Sequence, residues 1–361
     1  MANQNMTLRD LAKALKLSTS TVSKALRDSY EIGEKTKKKV TNYAKKVGYR
    51  PNTLAKSLKE GKSRTIGVVI CSIDNTFVSQ LLNGIDYACN NRGYSIMIMQ
   101  SKESHSQEIK CIDLLYGRSI DGLLISPACE TPDSDHLTKY HNLGLPIVLF
   151  DRYSDELDLP KVSINNLEAS YDATCHLIGN GYTKIAILHS NTRLNINIQR
   201  LQGYKNALEA HHIPINEAYV KPCDFHDTEI LKQSIETAVK ELMALSDPPT
   251  ALLATSDQIS TQSISIIKNL GYRIPQDLAL VGFTNTTLAA SLAPPLSTVY
   301  QPAKEIGEIA ANKLLDLIDG VDRDDKSSAT IYLTTNLIER ASSKPLPSAS
   351  ERITFKSQNN A

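Results

Sequence analysis

Residues 7–26 read TLRDLAKALKLSTSTVSKAL, two short apolar segments with helical spacing on either side of a polar turn. Thr7, followed by Asp10 three residues later, resembles a capping box and marks the start of a first helix. One face of that helix is apolar, through Leu8, Leu11, Ala12 and Leu15. Residues 16–18 form a tight turn, in which Ser18 is a good N-cap for a second helix. Two helices joined by so short a turn are typical of a helix-turn-helix.

The second helix is predicted to carry small polar and basic side chains on its outer face. Its inner face holds Val22, Ala25 and Leu26. The outer side chains could reach base edges or phosphates in a major groove, and they are Thr19, Ser20, Ser23, Lys24 and Arg27. A third helix, with Val40, Tyr43, Ala44 and Val47 inside, is predicted to end at Gly48 before Pro51. This pattern indicates a DNA-reading head, and the alternative is a three-helix bundle with a merely solvated polar face.

Charge is distributed unevenly along the chain. The formal net charge of the 361 residues is +1, but residues 1–64 hold 16 Lys and Arg against 5 Asp and Glu. That segment therefore carries +11 and the remainder −10. A compact basic head on an acidic body is the electrostatic footprint of a nucleic-acid module carried by another domain. A basic targeting tail is the alternative, but such tails rarely show ordered apolar periodicity.

Three pieces of sequence together carry a family resemblance. They read T-L-x-D-L-A-x-x-x-x-x-S-x-x-T-V-S-K-A-L from Thr7 to Leu26, G-Y-R-P-N-x-x-A-K-S-L from Gly48 to Leu58, and I-G-V from Ile66. Their order and spacing resemble a transcriptional regulator of the LacI/GalR family. The resemblance implies a hinge helix over 51–63 whose leucine, here Leu58, wedges into the minor groove of the operator. Unstacking the bases costs free energy, which contacts with the bent DNA offset.

The resemblance and the helix pattern together assign a set of DNA-binding residues. The expected DNA-binding residues are Thr7, Leu8, Ser18, Thr19, Ser20, Thr21, Ser23, Lys24, Arg27, Asn52, Ala55, Lys56 and Leu58. For Leu58 the alternative is simple packing on the rest of the protein.

From Ile66 onward, short apolar runs alternate with segments of helical spacing. The predicted strands are Ile66–Cys71, Tyr94–Met99, Gly122–Ser126, Pro146–Phe150, Lys184–His189, Thr250–Ala254 and Leu278–Gly282. Such alternation predicts parallel sheets with helices on both faces, whose ligands bind at the carboxyl ends of the strands.

The resemblance covers residues 7–342. It implies a type I periplasmic-binding-protein-like α/β core of two doubly wound parallel-sheet lobes behind the all-α helix-turn-helix head and hinge helix. We expect a DNA-binding domain at 1–50, the hinge at 51–63, an effector-binding and dimerisation core at 64–342 and a disordered tail at 343–361. The chain is expected to cross between the lobes near 162, 290 and 325.

Several residues at the predicted strand ends are candidates for effector binding. Asp151 and Asp257 each follow a strand, and Arg200 matches the family's ligand-contacting arginine. The expected effector-binding residues are Asn75, Phe77, Asp151, Arg200, Asp257 and Phe283. Carboxylates, an arginine, the asparagines at 165 and 166 and an aromatic ring suit a polyhydroxylated ligand, because every hydroxyl both donates and accepts. The alternative is that the two acids cap turns or helices and that Arg200 pairs with one of them.

Three positions depart from the family pattern. Thr76 stands where proline is frequent, Asn165 replaces the aspartate of an Asp-Asn pair, and Thr284 replaces the aspartate that often follows Gly-Phe. They leave the effector's identity open: a sugar or sugar derivative is favoured over a nucleobase-like compound. The C-terminal segment has no leucine heptads, so a homodimer is expected rather than a tetramer.

Other function classes find little support in the sequence. Phosphate loops, dinucleotide fingerprints and hydrolase or metalloprotease motifs do not occur, so neither an enzyme nor a bound cofactor is expected. The six cysteines never form C-x-x-C and the eight histidines are dispersed, so no metal is expected. No apolar run reaches the roughly 18 residues of a membrane span, and the N-terminus lacks a secretory pattern. We therefore expect a cytoplasmic, nucleoid-associated regulator, with repression favoured over activation because a bound dimer blocks polymerase without further contacts. A sugar-binding protein without DNA and an α/β enzyme with a DNA-binding appendage are the rival interpretations.

Overall fold

The computed structural model describes residues 6–49, 61–129, 133–154, 156–192, 194–224, 228–321 and 330–344. The chain divides into two compact units, residues 1–63 and 64–361.

The described residues of the first unit form three helices, α1 (Leu8–Leu15), α2 (Thr19–Leu26) and α3 (Glu34–Lys46). The predicted capping box is confirmed: the Thr7 hydroxyl accepts from the Asp10 N–H at 3.2 Å, and the Asp10 carboxylate accepts from the Thr7 N–H at 3.0 Å. Ser18 caps α2 as expected. The three helices enclose a small apolar core of Leu11, Ala12, Leu15, Val22, Ala25, Val40 and Ala44. The sequence pattern therefore predicted both the helices and their buried faces.

The end of α3 follows the predicted signals. Gly48, two residues after the helix, adopts a left-handed φ of 65°, and Lys45 and Lys46 occupy the last turn, where positive charge complements the helix dipole. Residues 51–60 of the expected hinge, with Asn52, Ala55, Lys56 and Leu58, lie outside the described residues.

The described strands of the second unit form two six-stranded sheets, one in each lobe. The first sheet has the order β11-β5-β4-β3-β1-β2, and all its pairs are parallel. Its strands are β1 (Thr65–Ile70), β2 (Ser95–Gln100), β3 (Gly122–Ile125), β4 (Ile147–Phe150), β5 (Lys161–Ile164) and β11 (Thr330–Leu333). The helices α4 (Thr76–Asn91), α5 (His105–Gly117), α6 (Asp135–Asn142) and α11 (Ala303–Asp319) belong to this lobe.

The second sheet repeats this arrangement with the order β12-β10-β9-β8-β6-β7. Its strands are β6 (Ile185–Ser190), β7 (Val220–Cys223), β8 (Ala251–Ala254), β9 (Ala279–Phe283), β10 (Ser297–Tyr300) and β12 (Asn336–Ile338). Only the pairing of β10 with β12 is antiparallel among the described strands. The helices are α7 (Asn166–Gly179), α8 (Asn195–Ala210), α9 (Thr228–Met243) and α10 (Asp257–Asn269). All seven predicted strands are present, and the two-lobed α/β core is confirmed.

In the order of the described strands, the chain passes between the two sheets three times, after Ile164, after Tyr300 and after Leu333. The second and third passages lie beyond the expected positions near 290 and 325. The reason is that β10 still pairs within the second sheet and β11 returns to the first.

Helix pairs in both lobes pack with their backbones in close approach. A Cβ on Gly84 of α4 would lie 2.0 Å from the carbonyl oxygen of Lys304 on α11, and one on Gly307 would lie 2.2 Å from that of Leu81. Gly203 of α8 meets the Leu167 carbonyl in the same way, at 2.1 Å. These crossings have no room for a larger residue. None of the helices in the described part of the chain has the length and apolar composition needed to cross a membrane.

Candidate functional site

The outer face of α2 is the candidate DNA-reading surface. Ser18, Thr19, Ser20 and Arg27 are exposed, and Ser23 and Lys24 are partly so. The hydroxyls of Ser18 and Thr21 also form local hydrogen bonds. The Ser18 hydroxyl oxygen accepts from the Thr21 N–H at 3.0 Å and lies 2.8 Å from the Thr21 hydroxyl. The surface therefore combines hydrogen-bonding groups with the N-terminus of a helix, where backbone N–H groups favour an anion.

Part of the positive charge of the first unit is paired within it. Lys24 forms an ion pair with Glu31, and Lys37 pairs with Asp28 and Glu34 at 2.8 and 3.1 Å. Surface pairs of this kind contribute little to stability and can exchange partners for phosphate oxygens.

A cavity of about 590 Å³ lies between the two lobes of the second unit. It is lined by residues just beyond the carboxyl ends of several strands, such as Cys71 after β1, Ser126 after β3 and Asp151 after β4. The second lobe contributes Arg200 and the start of α10. The cavity therefore occupies the position at which parallel α/β sheets bind ligands.

Arg200 is the central cation of the second lobe's wall. It is 4% exposed and donates from Nε to Asn166 Oδ1 at 2.8 Å, from Nη1 to the Thr255 carbonyl at 2.6 Å and from Nη2 to Gln301 Oε1 at 3.1 Å. Its guanidinium carbon lies 4.3 Å from the centre of the Phe283 ring. Burial lowers the pKa of Arg200 to about 10, although the nearby Asp151 carboxylate favours the charged form. These three acceptors are neutral, so among the described residues the hydrogen bonds do not support the alternative that Arg200 pairs with an acid.

Asp257 is the first residue of α10, which Ser256 caps. Its carboxylate accepts a short hydrogen bond from the Thr284 hydroxyl and another from the backbone of Asn285. Burial raises the pKa of this carboxyl, while those two hydrogen bonds oppose the rise. Thr284, where the family often has aspartate, thus ties the loop after β9 to the cavity wall without placing a second negative charge beside Asp257.

Asp151 has a left-handed backbone, with φ of 61°, directly after β4. Burial raises its pKa, and the positive charges of Arg152 and Arg200 counter that effect. Aspartate tolerates this conformation better than most non-glycine residues. The turn places a partly compensated carboxylate on the cavity surface.

Arg152 was not among the predicted site residues. Its guanidinium donates to both carboxylate oxygens of Glu103, at 2.7 and 2.9 Å, and lies 2.9 Å from Cys71 Sγ. Its charge is therefore neutralised within the first lobe. Its position directly after Asp151 at a strand end was the signal in the sequence that could have predicted a site residue. Its pairing with Glu103 could not be predicted in this way, because Glu103 lies 49 residues away.

Five of the six expected effector residues line the cavity: Asn75, Phe77, Asp151, Arg200 and Asp257. The sixth, Phe283, is fully buried and is not a lining residue; it supports Arg200 from behind. The Asn75 side chain also caps α4 by accepting from the Val78 N–H at 2.8 Å. Of the two asparagines, Asn165 caps α7 whereas Asn166 holds Arg200. Gln301, which also positions Arg200, was missed because it is a single polar residue at a passage between the lobes.

The arrangement suits recognition rather than catalysis. Carboxylates and a braced arginine, together with Phe77 in the cavity wall, offer complementary partners for a ligand rich in hydroxyl groups.

Both units of the chain resemble parts of known proteins. A family model described as bacterial regulatory proteins, lacI family, matches residues 7–52, and one for a periplasmic binding protein-like domain matches residues 174–343. The HTH-type transcriptional repressor CytR of Escherichia coli (strain K12) is 33% identical over 341 residues, 94% of this chain and 97% of that protein. The ribose operon repressor of Haemophilus influenzae is 31% identical over 313 residues, 86% of this chain and 92% of that protein.

A solved structure shows the same fold. The crystal structure of the lac repressor dimer bound to operator and the anti-inducer ONPF covers 94% of this chain and 100% of its own, with a TM-score of 0.81. Its sequence is 22% identical to this chain, so this likeness concerns the architecture alone.

Proposed function

The chain belongs to the lacI family of bacterial regulatory proteins, and on that basis we propose that it binds a palindromic operator as a homodimer under the control of a small effector. As a family member it is a DNA-binding transcriptional regulator of the repressor type and not an enzyme. The operator's symmetry, the dimer and the effector are the parts that we propose.

The DNA side of the proposal rests on the charge and the exposed face of the first unit. The +11 of residues 1–64 supplies the phosphate attraction, and Thr19, Ser20 and Arg27 stand exposed on α2. We assign the remaining contacts to the hinge at 51–63, with Leu58 as the minor-groove wedge and Asn52, Ala55 and Lys56 beside it. We thus propose three functional segments: a DNA-binding head at 1–50, the hinge at 51–63, and an effector-binding core at 64–342.

Selection from a random duplex library tests this side. The enriched sites should be palindromic, and the affinity of the best site should fall when Arg27 is replaced by Ala. Arg118→Ala is the matched control, because Arg118 is exposed in the other unit; it should bind DNA normally. Leu58→Ala should weaken binding and reduce DNA bending. Binding that shows no preference over competitor DNA would contradict the proposal.

The effector side rests on one observation above all: the buried Arg200, held by three neutral acceptors, faces a cavity that Asp151 and Asp257 also line. Among the described residues these bonds use three of the five guanidinium N–H groups, and the others are available to a ligand. The carboxylates supply acceptors close by. We therefore propose a sugar or sugar derivative as the effector, with a nucleobase-like compound as the second candidate.

A thermal-shift screen over sugars, nucleosides and purines tests the effector class, because a ligand of the folded state raises its melting temperature. Ligand that closes the lobes would alter DNA affinity through a coupling free energy of about 1–3 kcal/mol. Arg200→Lys keeps the charge but lacks the planar fork, and should lose most of the shift. Stabilisation by nucleosides and not by sugars would favour the second candidate.

A further inference from the structure

A cluster of two histidines and a glutamate lies in the first lobe, at the N-terminal ends of α5 and α6. His105 and Glu108 stand one helical turn apart on α5, and His136 comes from the first turn of α6. One donor atom from each of the three residues lies within 4.8 Å of the others. The sequence could not show this grouping, because only the fold brings His136 to Glu108, which precedes it by 28 residues, and to His105.

The hydrogen bonding of the cluster is incomplete. His136 Nε2 lies 2.8 Å from Glu108 Oε1, and the backbone N–H of Ala128 donates to Glu108 Oε2 at 2.6 Å. The Nδ1 atoms of His105 and His136 are buried and have no partner among the described residues. Glu108 is fully buried, and the side chain of His136 is 7% exposed. A buried ring nitrogen without a partner is costly, and for His105 coordination to a metal ion is one way to satisfy it. His136 faces Glu108 through Nε2, so that nitrogen would meet an ion shared with Glu108.

We propose that His105, Glu108 and His136 bind a Zn²⁺ ion, with solvent at the fourth position. Two imidazoles and one carboxylate are a frequent zinc donor set. Ligands about 2.0–2.2 Å from one ion are about 3–4 Å apart, so small side-chain rotations close the observed spacing. His105 is only partly buried, which gives an ion access from solvent.

The backbone around Ala128 would connect this ion to the effector cavity. The N–H of Ala128 orients Glu108, as outer partners of metal ligands commonly do. The next residue, Cys129, donates its N–H to Glu103 Oε2 at 2.9 Å, and Glu103 in turn holds Arg152. An ion in the cluster would therefore fix the same loop that supports one wall of the cavity.

Zinc binding to the full-length protein tests the site without any knowledge of operator or effector. After removal of metals with a chelator, zinc chloride is titrated in competition with a chromophoric indicator. We expect one equivalent per chain. Since even an outer partner of a ligand contributes about 10- to 100-fold to affinity, His105→Asn should weaken binding by more than about tenfold.

His141→Asn is the matched control, because His141 is exposed on α6 and takes no part in the cluster; it should bind zinc like the parent. His105 is only partly buried, so its variant should fold even if His136→Asn does not, and circular dichroism checks this. Absorption of the Co²⁺-loaded protein should show nitrogen and oxygen ligation. Three results would each overturn the proposal: no zinc binding, equal binding by His105→Asn, or thiolate absorption bands from the cobalt-loaded protein. The cluster would then be a hydrogen-bonded His-Glu pair only.

Discussion

Replacement of Arg200 by Ala tests whether the cavity arginine is a braced part of the core. The change leaves three buried acceptors, on Asn166, Thr255 and Gln301, without their donor. Each unsatisfied group costs about 1–3 kcal/mol. Removal of the buried charge recovers part of this cost. The pKa of Arg200 lies near 10 because burial penalises its charged form, and that depression corresponds to about 3 kcal/mol.

The balance is a net loss of about 3 kcal/mol, since water can reach some of the acceptors through the cavity. In a unit of this size we expect the melting temperature to fall by roughly 5–10 °C. Circular dichroism is a suitable probe because the protein has no tryptophan.

Arg273→Ala is the matched control. Arg273 lies in the same unit, with its side chain 72% exposed, and pairs only with Asp277 four residues away among the contacts of the described chain. Exposed pairs contribute little, so the control should melt within about 2 °C of the parent. Equal losses in the two variants, or an unchanged melting temperature for Arg200→Ala, would refute the bracing that the hydrogen bonds indicate.

Three further predictions concern charge and packing. Burial raises the pKa of Asp151, so the folded protein retains this proton better than the unfolded chain and loses stability as pH rises above about 4. Asp151→Asn, which keeps a residue suited to positive φ, should therefore melt higher than the parent at pH 7 and lose this advantage towards pH 4; a difference independent of pH would contradict the assignment. Gly84→Ala would place a methyl group against the Lys304 carbonyl and should destabilise the core by about 1–3 kcal/mol or more in urea unfolding, whereas Gly117→Ala, with open space around it, should be neutral or stabilising. Because residues 1–64 carry a net charge of +11, operator affinity measured by fluorescence anisotropy should fall steeply between 50 and 200 mM salt. An affinity that does not change with salt would contradict the proposed phosphate contacts.

The residues around the cavity have two different roles: some support the site, and others can contact a ligand. Phe283, Asn166 and Gln301 act through Arg200, whereas Asp151 and Asp257 present carboxylates at the surface. Substitution of the supporting residues should therefore lower stability and ligand affinity together. Changes at the two acids should separate these quantities, because burial raises both of their pKa values and makes their charges costly to the fold.

Local patterns were enough to predict the head and seven of the twelve described strands. The capping box at Thr7, the cap at Ser18 and the apolar spacing of α1 and α2 depend on neighbours within a few residues. Six of the seven predicted strands are short, largely buried apolar runs, because strands covered on both faces need no alternation. The seventh, β2, is an edge strand with exposed and half-buried residues, and its apolar composition alone predicted it. The strands that were not predicted include Val220–Cys223, which contains a lysine and a proline, and Asn336–Ile338, which is three residues long. Both lie at sheet edges, whereas Lys161–Ile164 and Ser297–Tyr300, which were not predicted either, lie inside the sheets and contain polar residues that weaken the apolar signal.

Most helices and strands, the basic head and the strand ends at which polar residues gather were predictable, because propensity, periodicity and charge act over short distances along the chain. Which of those polar residues meet depends on the tertiary fold. Arg200 takes its acceptors from positions 34, 55 and 101 residues away, and His136 reaches Glu108 across 28. Such contacts follow from sheet order and helix packing, which depend on the whole chain and leave no mark on the spacing of the residues involved.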